Sequence, residues 1–420
     1  MSEGLLGPGE GGVVSVVPAL AQASVSPDDA RVALALAEGG AVVVLDLASG
    51  RAVARIPGAA VQGMAWLSPE LLLVVRAQER GARAVLHAMP DGAVLGTVAL
   101  PALHTGQHAV SVAGEVVTVF PRRWHGGLAQ QVRRRVGYVL GASPLTVLRE
   151  VVPALWSVLP TLPHARPAVL ALEPDGAAIT AWVGEPGPDG APGDPRGHLL
   201  RYRWDDDRAT RVLRAGRDVR EVLCCDPTRV LLREAFGEGF DACGDVSVVD
   251  TARAMVLRDT AGEDDALGPW ATADLDLDRE RVLLAGRVMK GERAAGTLRV
   301  VDVAQGTEAA RPVEVPGGPQ RAMGAVWADD GAGLWVLTSP SAKVLRVRAW
   351  RSLREGPDGA RGWELPLQGR APSRGRLAWS PARTHLLVSW TAVPARGDAA
   401  AKALGVTHLA WVPVCDPLSP

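Results

Sequence analysis

The amino-acid sequence predicts an all-β repeat protein, and three observations carry that prediction. A short Pro/Asp/Gly turn recurs along the 420 residues at Pro27, Pro69, Gly114, Pro174, Pro227, Asp278, Asp329 and Pro381. Successive turns lie 42 to 60 residues apart, with a mean of about 51, near the roughly 40–50 residues of a propeller blade. Each turn is followed by an apolar run: Val32–Ala37, Leu71–Val75, Val116–Phe120, Ala177–Val183, Val230–Leu232, Val282–Ala285, Gly333–Leu337 and Leu386–Trp390. Runs this short, bounded by turn residues, fit strands buried on both faces. Stretches of about 10–15 residues with apolar spacing of three and four, which a helical repeat needs, are missing. The prediction is a β-propeller with four strands per blade. Eight turns predict eight blades, or seven if the most divergent unit, His108 to Val151, is not a blade.

Taken in order, residues 1–11 are rich in glycine and read as a disordered arm, and residues 12–420 as one propeller domain. Ser26 to Gly58 reads as a turn, a strand, a tight turn, a second strand, a Ser-Gly turn and a third strand. The strand after each apolar run is more mixed. Arg201 with Arg203, and Arg346 with Arg348, stand two apart and so share one face, as on a strand nearer the rim. Asp46, Asp250 and Asp302 recur before turns, where an aspartate accepts backbone N–H bonds. Trp66, Trp327 and Trp379 recur at the end of the first strand of their units and read as packing residues between blades. The last unit supplies three strands and ends near Val414. The N-terminal strand, residues 12–18, is therefore expected to complete it and close the ring, removing open sheet edges.

The longest insertions fall in the third, fourth and eighth units, and loops are where a rigid scaffold carries specificity. The third contains the most basic stretch, with Arg122, Arg123, Trp124, Arg133, Arg134 and Arg135. Arginine interleaved with an aromatic can form a platform for single-stranded nucleic acid or a partner. A formal net charge of −1 supplies no general attraction to nucleic acid, so a solvated face is the plainer expectation. Residues 184–197 hold five glycines and four prolines and cannot build a core.

No GxSxG elbow is present. His104 and His108 are four apart, but the Thr-Gly-Gln between them argues for a loop. Asp274 and Asp276 alternate with apolar residues and would share a strand face, where they are the candidates for holding a cation such as calcium. The competing reading is a solvated turn. No cofactor and no catalytic group is expected, and a cation-dependent hydrolase or lactonase is the alternative to a binding protein.

Lys occurs only at positions 290, 343 and 402, and Asn is absent, the bias of a GC-rich bacterial genome. No signal-peptide pattern and no apolar stretch of membrane-spanning length is present. Four cysteines without CxxC argue against a disulfide or zinc framework, and the expected compartment is the cytoplasm.

The phrases SPDDARVALA, VVVLDLASG, WSPAR and LLVSW resemble bacterial WD-repeat-like propellers of the YVTN type across nearly the whole chain. The regular GH and WD dipeptides of the strict WD repeat are missing. A degenerate, stand-alone propeller is also similar to the propeller component of ternary systems built with a MoxR-type AAA+ ATPase and a von Willebrand A protein. That resemblance implies a scaffold with those two partner classes, and it carries no residues over.

Overall fold

A computed structural model describes residues 14–16, 20–36, 40–101, 103, 108–121, 137–151, 166–173, 177–184, 196–203, 208–216, 219–224, 228–234, 246–253, 255–259, 270–276, 281–290, 293–302, 308–315, 321–328, 333–341, 344–366, 372–392 and 407–414. Every regular element among them is a β-strand, and they form eight four-stranded sheets. The chain divides into two compact units, residues 21–234 with 249–255, and residues 1–20, 235–248 and 256–420.

The chain enters through β1 (Val14–Val16). Sheet one is then β2 (Leu20–Val25), β3 (Arg31–Leu36), β4 (Val42–Asp46) and β5 (Ala52–Ile56). Sheet two is β6 (Val61–Ser68), β7 (Leu71–Ala77), β8 (Ala82–Ala88) and β9 (Val94–Leu100). Sheet three is β10 (His108–Ala113), β11 (Val116–Pro121), β12 (Gly137–Ala142) and β13 (Leu145–Val151). Sheet four is β14 (Arg166–Leu172), β15 (Ala178–Gly184), β16 (Arg196–Arg203) and β17 (Arg208–Gly216). Sheet five runs in the order β18 (Val219–Cys224), β19 (Arg229–Glu234), β20 (Val246–Asp250) and β21 (Met255–Asp259). Sheet six is β22 (Trp270–Asp276), β23 (Arg281–Lys290), β24 (Arg293–Asp302) and β25 (Glu308–Glu314). Sheet seven is β26 (Arg321–Trp327), β27 (Leu334–Ser341), β28 (Val344–Ser352) and β29 (Gly356–Pro366). In sheet eight, β30 (Pro372–Trp379), β31 (His385–Ala392) and β32 (Thr407–Pro413) are completed by β1, which pairs antiparallel with β32 through Val14–Trp411, Ser15–Ala410 and Val16–Leu409.

The packing explains the continuous apolar runs. Leu72 and Val74 of β7 pack toward sheet one with Ala33, Val42 and Val44, whereas Leu73 and Val75 pack toward sheet three with Val117, Val119 and Leu140. Adjacent residues point to opposite faces of a strand, so a sheet sandwiched between two others needs both sets apolar. Within each unit first strands of neighbouring sheets lie side by side, as β6 with β10 and β26 with β30 do.

The recurrent tryptophans sit between sheets, as their positions predict. The Trp66 indole N–H donates to the Ser24 carbonyl at 3.0 Å, and Trp379 donates to the Trp327 carbonyl at 2.6 Å. In both cases the acceptor is the residue one repeat earlier, so the ring fills the gap between sheets while its polar atom is satisfied. The turns repeat too. Ser26 and Ser380 each receive the N–H of the residue opening the second strand, Arg31 at 2.9 Å and His385 at 3.0 Å. Asp29 and Arg383 take positive φ of 57° and 60° inside these turns. Asp46 accepts the Ser49 N–H at 2.7 Å and its hydroxyl at 2.6 Å, and Asp250 accepts the Arg253 N–H at 2.8 Å. The Ser49 contacts hold the Asp46 carboxyl below the usual range.

Candidate interaction surface

Antiparallel order places the first-to-second and third-to-fourth turns of each sheet at one end. The second-to-third connection and the link to the next sheet lie at the other end. The turn end uses connections such as Pro69–Glu70, Gly114–Glu115 and Ser143–Pro144. In sheets three, four, five and eight, each taken by itself, the second-to-third connection is the long one, residues 122–136, 185–195, 235–245 and 393–406, whereas in sheets six and seven it is two residues, 291–292 and 342–343. The same end is marked by a β-bulge near the start of the first strand. The register skips Gln62 in β6, Ala168 in β14, Arg220 in β18, Ala273 in β22, Met323 in β26 and Ser373 in β30. A bulge re-aims side chains and twists the strand locally, and it gathers where a sheet meets a functional rim. Gln62 is buried, and its Oε1 has no hydrogen-bond partner among the described residues.

Arg122, Arg123, Trp124, Arg133, Arg134 and Arg135 lie outside the described residues, within the connection between β11 and β12. Asp274 and Asp276 are both on β22. Asp276 is the final residue of that strand, opposite Arg281. It forms a 2.9 Å ion pair with Arg281, whose guanidinium lies 4.3 Å above the Trp327 ring. Asp276 thus holds the turn position that Ser26 and Ser380 occupy in their sheets. Its carboxylate is engaged by a cation of the chain itself. Among the described residues no group of three or more His, Cys, Asp or Glu side chains is close enough to hold a metal ion.

The same turn position in sheet four is Glu173, one residue before the turn marker Pro174. Glu173 is buried. It accepts the Thr180 hydroxyl at 3.1 Å and Arg201 Nε at 2.7 Å, with Arg201 Nη2 on its other oxygen. Arg201 was expected on a solvent-facing strand, and its neighbour Arg203 is exposed. Arg201 instead turns inward because a buried carboxylate needs a charged partner. Arg346 pairs with Glu364 at 2.8 Å in an exposed position. The cleft beside it, lined by Val336, Thr338, Arg346, Arg348 and Trp350, encloses about 10 Å³, the room of a single water.

Arg76 in β7 was also missed. It is 8% exposed and donates to the carbonyls of Gly40 at 2.8 Å, Ala59 at 2.7 Å and Ile56 at 3.3 Å. It therefore ties the second-to-third connection of sheet one to the link leading into sheet two. A signal for it exists in the sequence: an arginine directly abutting the apolar run Leu71–Val75.

Two histidines have lowered pKa values, His87 buried and His408 half-buried. His87 Nδ1–H donates to the Gly92 carbonyl at 3.0 Å, and its Nε2 is buried without a partner. Burial, with the Arg76 charge adding to it, pushes its pKa below the ordinary 6.5. His408 stacks on Trp390 at 5.1 Å, and burial pushes its pKa down as well. A histidine with a depressed folded-state pKa is protonated first in the unfolded chain. Its stabilising contribution is complete above the unfolded pKa and is lost as pH falls below 6.5 toward the folded value. Thermal melts from pH 8 to 5 should therefore show a falling midpoint below pH about 6.5. A His87→Gln, His408→Phe variant should show a flatter profile, and an equal slope in both proteins would refute the assignment.

The sequence matches no protein-family model and no curated protein. Solved structures are similar over nearly the full length at low identity. The C-terminal WD40 domain of Sif2 superposes with a TM-score of 0.57 at 12% identity, covering 98% of each chain. The Dos1 propeller superposes with 0.54 at 14%, covering 97% of this chain and 94% of that one. Sqt1 from Chaetomium thermophilum, bound to the N-terminus of ribosomal protein L10, superposes with 0.53 at 13%, covering 93% and 96%. The chain therefore shares the fold of WD40 β-propellers.

Proposed function

We propose that this protein is a non-catalytic protein-interaction scaffold, a single eight-bladed propeller domain closed by its N-terminal strand. The pairing of β1 with β32 supports closure, and the eight four-stranded sheets support the blade number. The observation that carries the functional reading is the asymmetry between the two sheet ends. In sheets three, four, five and eight one end is trimmed to short turns and the other holds a long second-to-third connection, and in six sheets the first strand carries a bulge toward that same end of its sheet. Long loops held on a rigid scaffold are where binding specificity concentrates. Asp276 occupied by Arg281 favours this reading over a cation-dependent enzyme.

The partner is a protein met in the cytoplasm. The sequence resemblance makes an AAA+ ATPase and a von Willebrand A protein the first two classes to test. The test is affinity capture of the full chain from its native lysate with nuclease present, beside a variant whose residues 122–136 are replaced by a two-residue Gly-Asp turn. A stoichiometric protein held by the wild type and lost by the folded variant supports the reading. A partner retained equally by both refutes a role for this connection, and material that vanishes with nuclease moves the reading to nucleic acid through the arginine-rich stretch.

A further inference from the structure

The outer strands of sheets one to four share a feature that the interaction reading does not use. In each, one residue of the fourth strand is skipped in the pairing with the third: Val53 in β5, Leu95 in β9, Leu148 in β13 and Val212 in β17. The skipped residue is apolar every time. All six exposed large hydrophobic side chains among the described residues lie on fourth strands, including Val53 at 41%, Leu95 at 57% and Leu148 at 56%. An outer strand with apolar, β-branched side chains is a template for pairing with another edge.

Three of these strands carry a second protection. β5 holds Arg55, β13 holds Arg149 and Glu150, and β17 holds Arg208, Arg211 and Arg214. β9 does not. Its seven residues, VLGTVAL, contain no charge and no proline, which is the composition of a cross-β segment. β9 is also the terminal strand of its sheet. The bulge sits inside this segment, with His87 opposite Val94 and Leu86 opposite Gly96, so that Leu95 has no cross-strand partner.

We infer that the bulge at Leu95 is a guard against strand addition at the outer edge of sheet two. The extra residue breaks the regular alternation of edge N–H and C=O groups. An incoming strand loses register there, before it can bond along the whole of β9. This inference stands apart from the interaction reading, which concerns the end of the sheets and not their outer edge.

Deleting Leu95 tests it directly, since Val94 and Gly96 then face His87 and Leu86 as consecutive pairs. Sedimentation velocity of the full chain over a concentration series should show a rise in mass of about twofold or more over the wild type, with thioflavin T fluorescence rising in parallel. Adding Ala99→Glu to the deletion should return the mass to the wild-type value. Ala99 is exposed and pairs with exposed Arg83, so the carboxylate suits the native sheet and repels a second edge. A folded deletion variant with wild-type mass at every concentration overturns the guard, as does assembly that Ala99→Glu leaves unchanged. A second measurement covers loss of folding in the deletion: titration of wild-type protein with the peptide AVLGTVAL. No binding is expected, and saturable binding to the wild type overturns the inference.

Discussion

Replacing Arg76 by Met should lower the stability of the protein by about 3–5 kcal/mol, the cost of leaving several buried carbonyls without their charged donor. The substitution keeps the aliphatic stem, so the loss isolates the guanidinium. Gly40, Ile56 and Ala59 contribute the three acceptors, and all lie at the junction of sheets one and two. The backbone at this junction is built around the arginine. Gly58 takes φ +150°, and a Cβ there would stand 2.8 Å from Arg76 Cζ. Gly40 takes φ +63°, and a Cβ there would stand 2.4 Å from the Gly58 carbonyl oxygen. Gly58→Ala should therefore destabilise by displacing Arg76, and it should cost less in the Arg76→Met background than alone. Thermal and urea unfolding of the four proteins completes the cycle. Full additivity, or an Arg76→Met midpoint equal to the wild type, would show that the junction does not depend on the guanidinium.

Glu173→Ala should destabilise by about 3 kcal/mol. The lower end of the range for a broken buried pair applies because the Arg201 side chain is 27% exposed and recovers some hydration. The carboxylate binds three donors from two strands, the Thr180 hydroxyl and two guanidinium nitrogens of Arg201. Glu173→Gln keeps an acceptor for Thr180 and should lose less. Arg201→Met combined with Glu173→Ala should recover part of the single-variant loss, because the orphaned charge is then gone. Urea midpoints of these variants and of Arg201→Met alone give the comparison. A double variant as unstable as the sum of its parts would remove the case for a coupled pair.

Much of the fold was legible because its determinants are local. Turn residues at Pro27, Pro69 and Pro381 mark the joints between first and second strands, and the apolar runs after them are second strands pressed between neighbouring sheets. The aspartates at positions 46 and 250 behave as their sequence context predicts, because an Asx turn needs only the next few residues. The site residues were less legible. Asp276 was a cation candidate through its alternation with Asp274, beside the plainer reading of a solvated turn; the register sets it opposite Arg281, with which it forms an ion pair. Arg201 looked like a rim arginine until Glu173, 28 residues earlier, was seen to be buried beneath it.

The sequence by itself determined the all-β class, the repeat period, the positions of the turns and the need for strands apolar on both faces. Each of these follows from side-chain chemistry read over a few neighbouring residues. Only the tertiary structure decided which polar groups meet across the sheets. It alone placed Arg76 against carbonyls 17 to 36 residues away, and it alone marked Leu95 as the residue that slips the register of an uncharged edge strand. Those outcomes depend on register and on long-range partners. A shift of one residue exchanges the faces of a strand, and composition carries no record of which register was chosen.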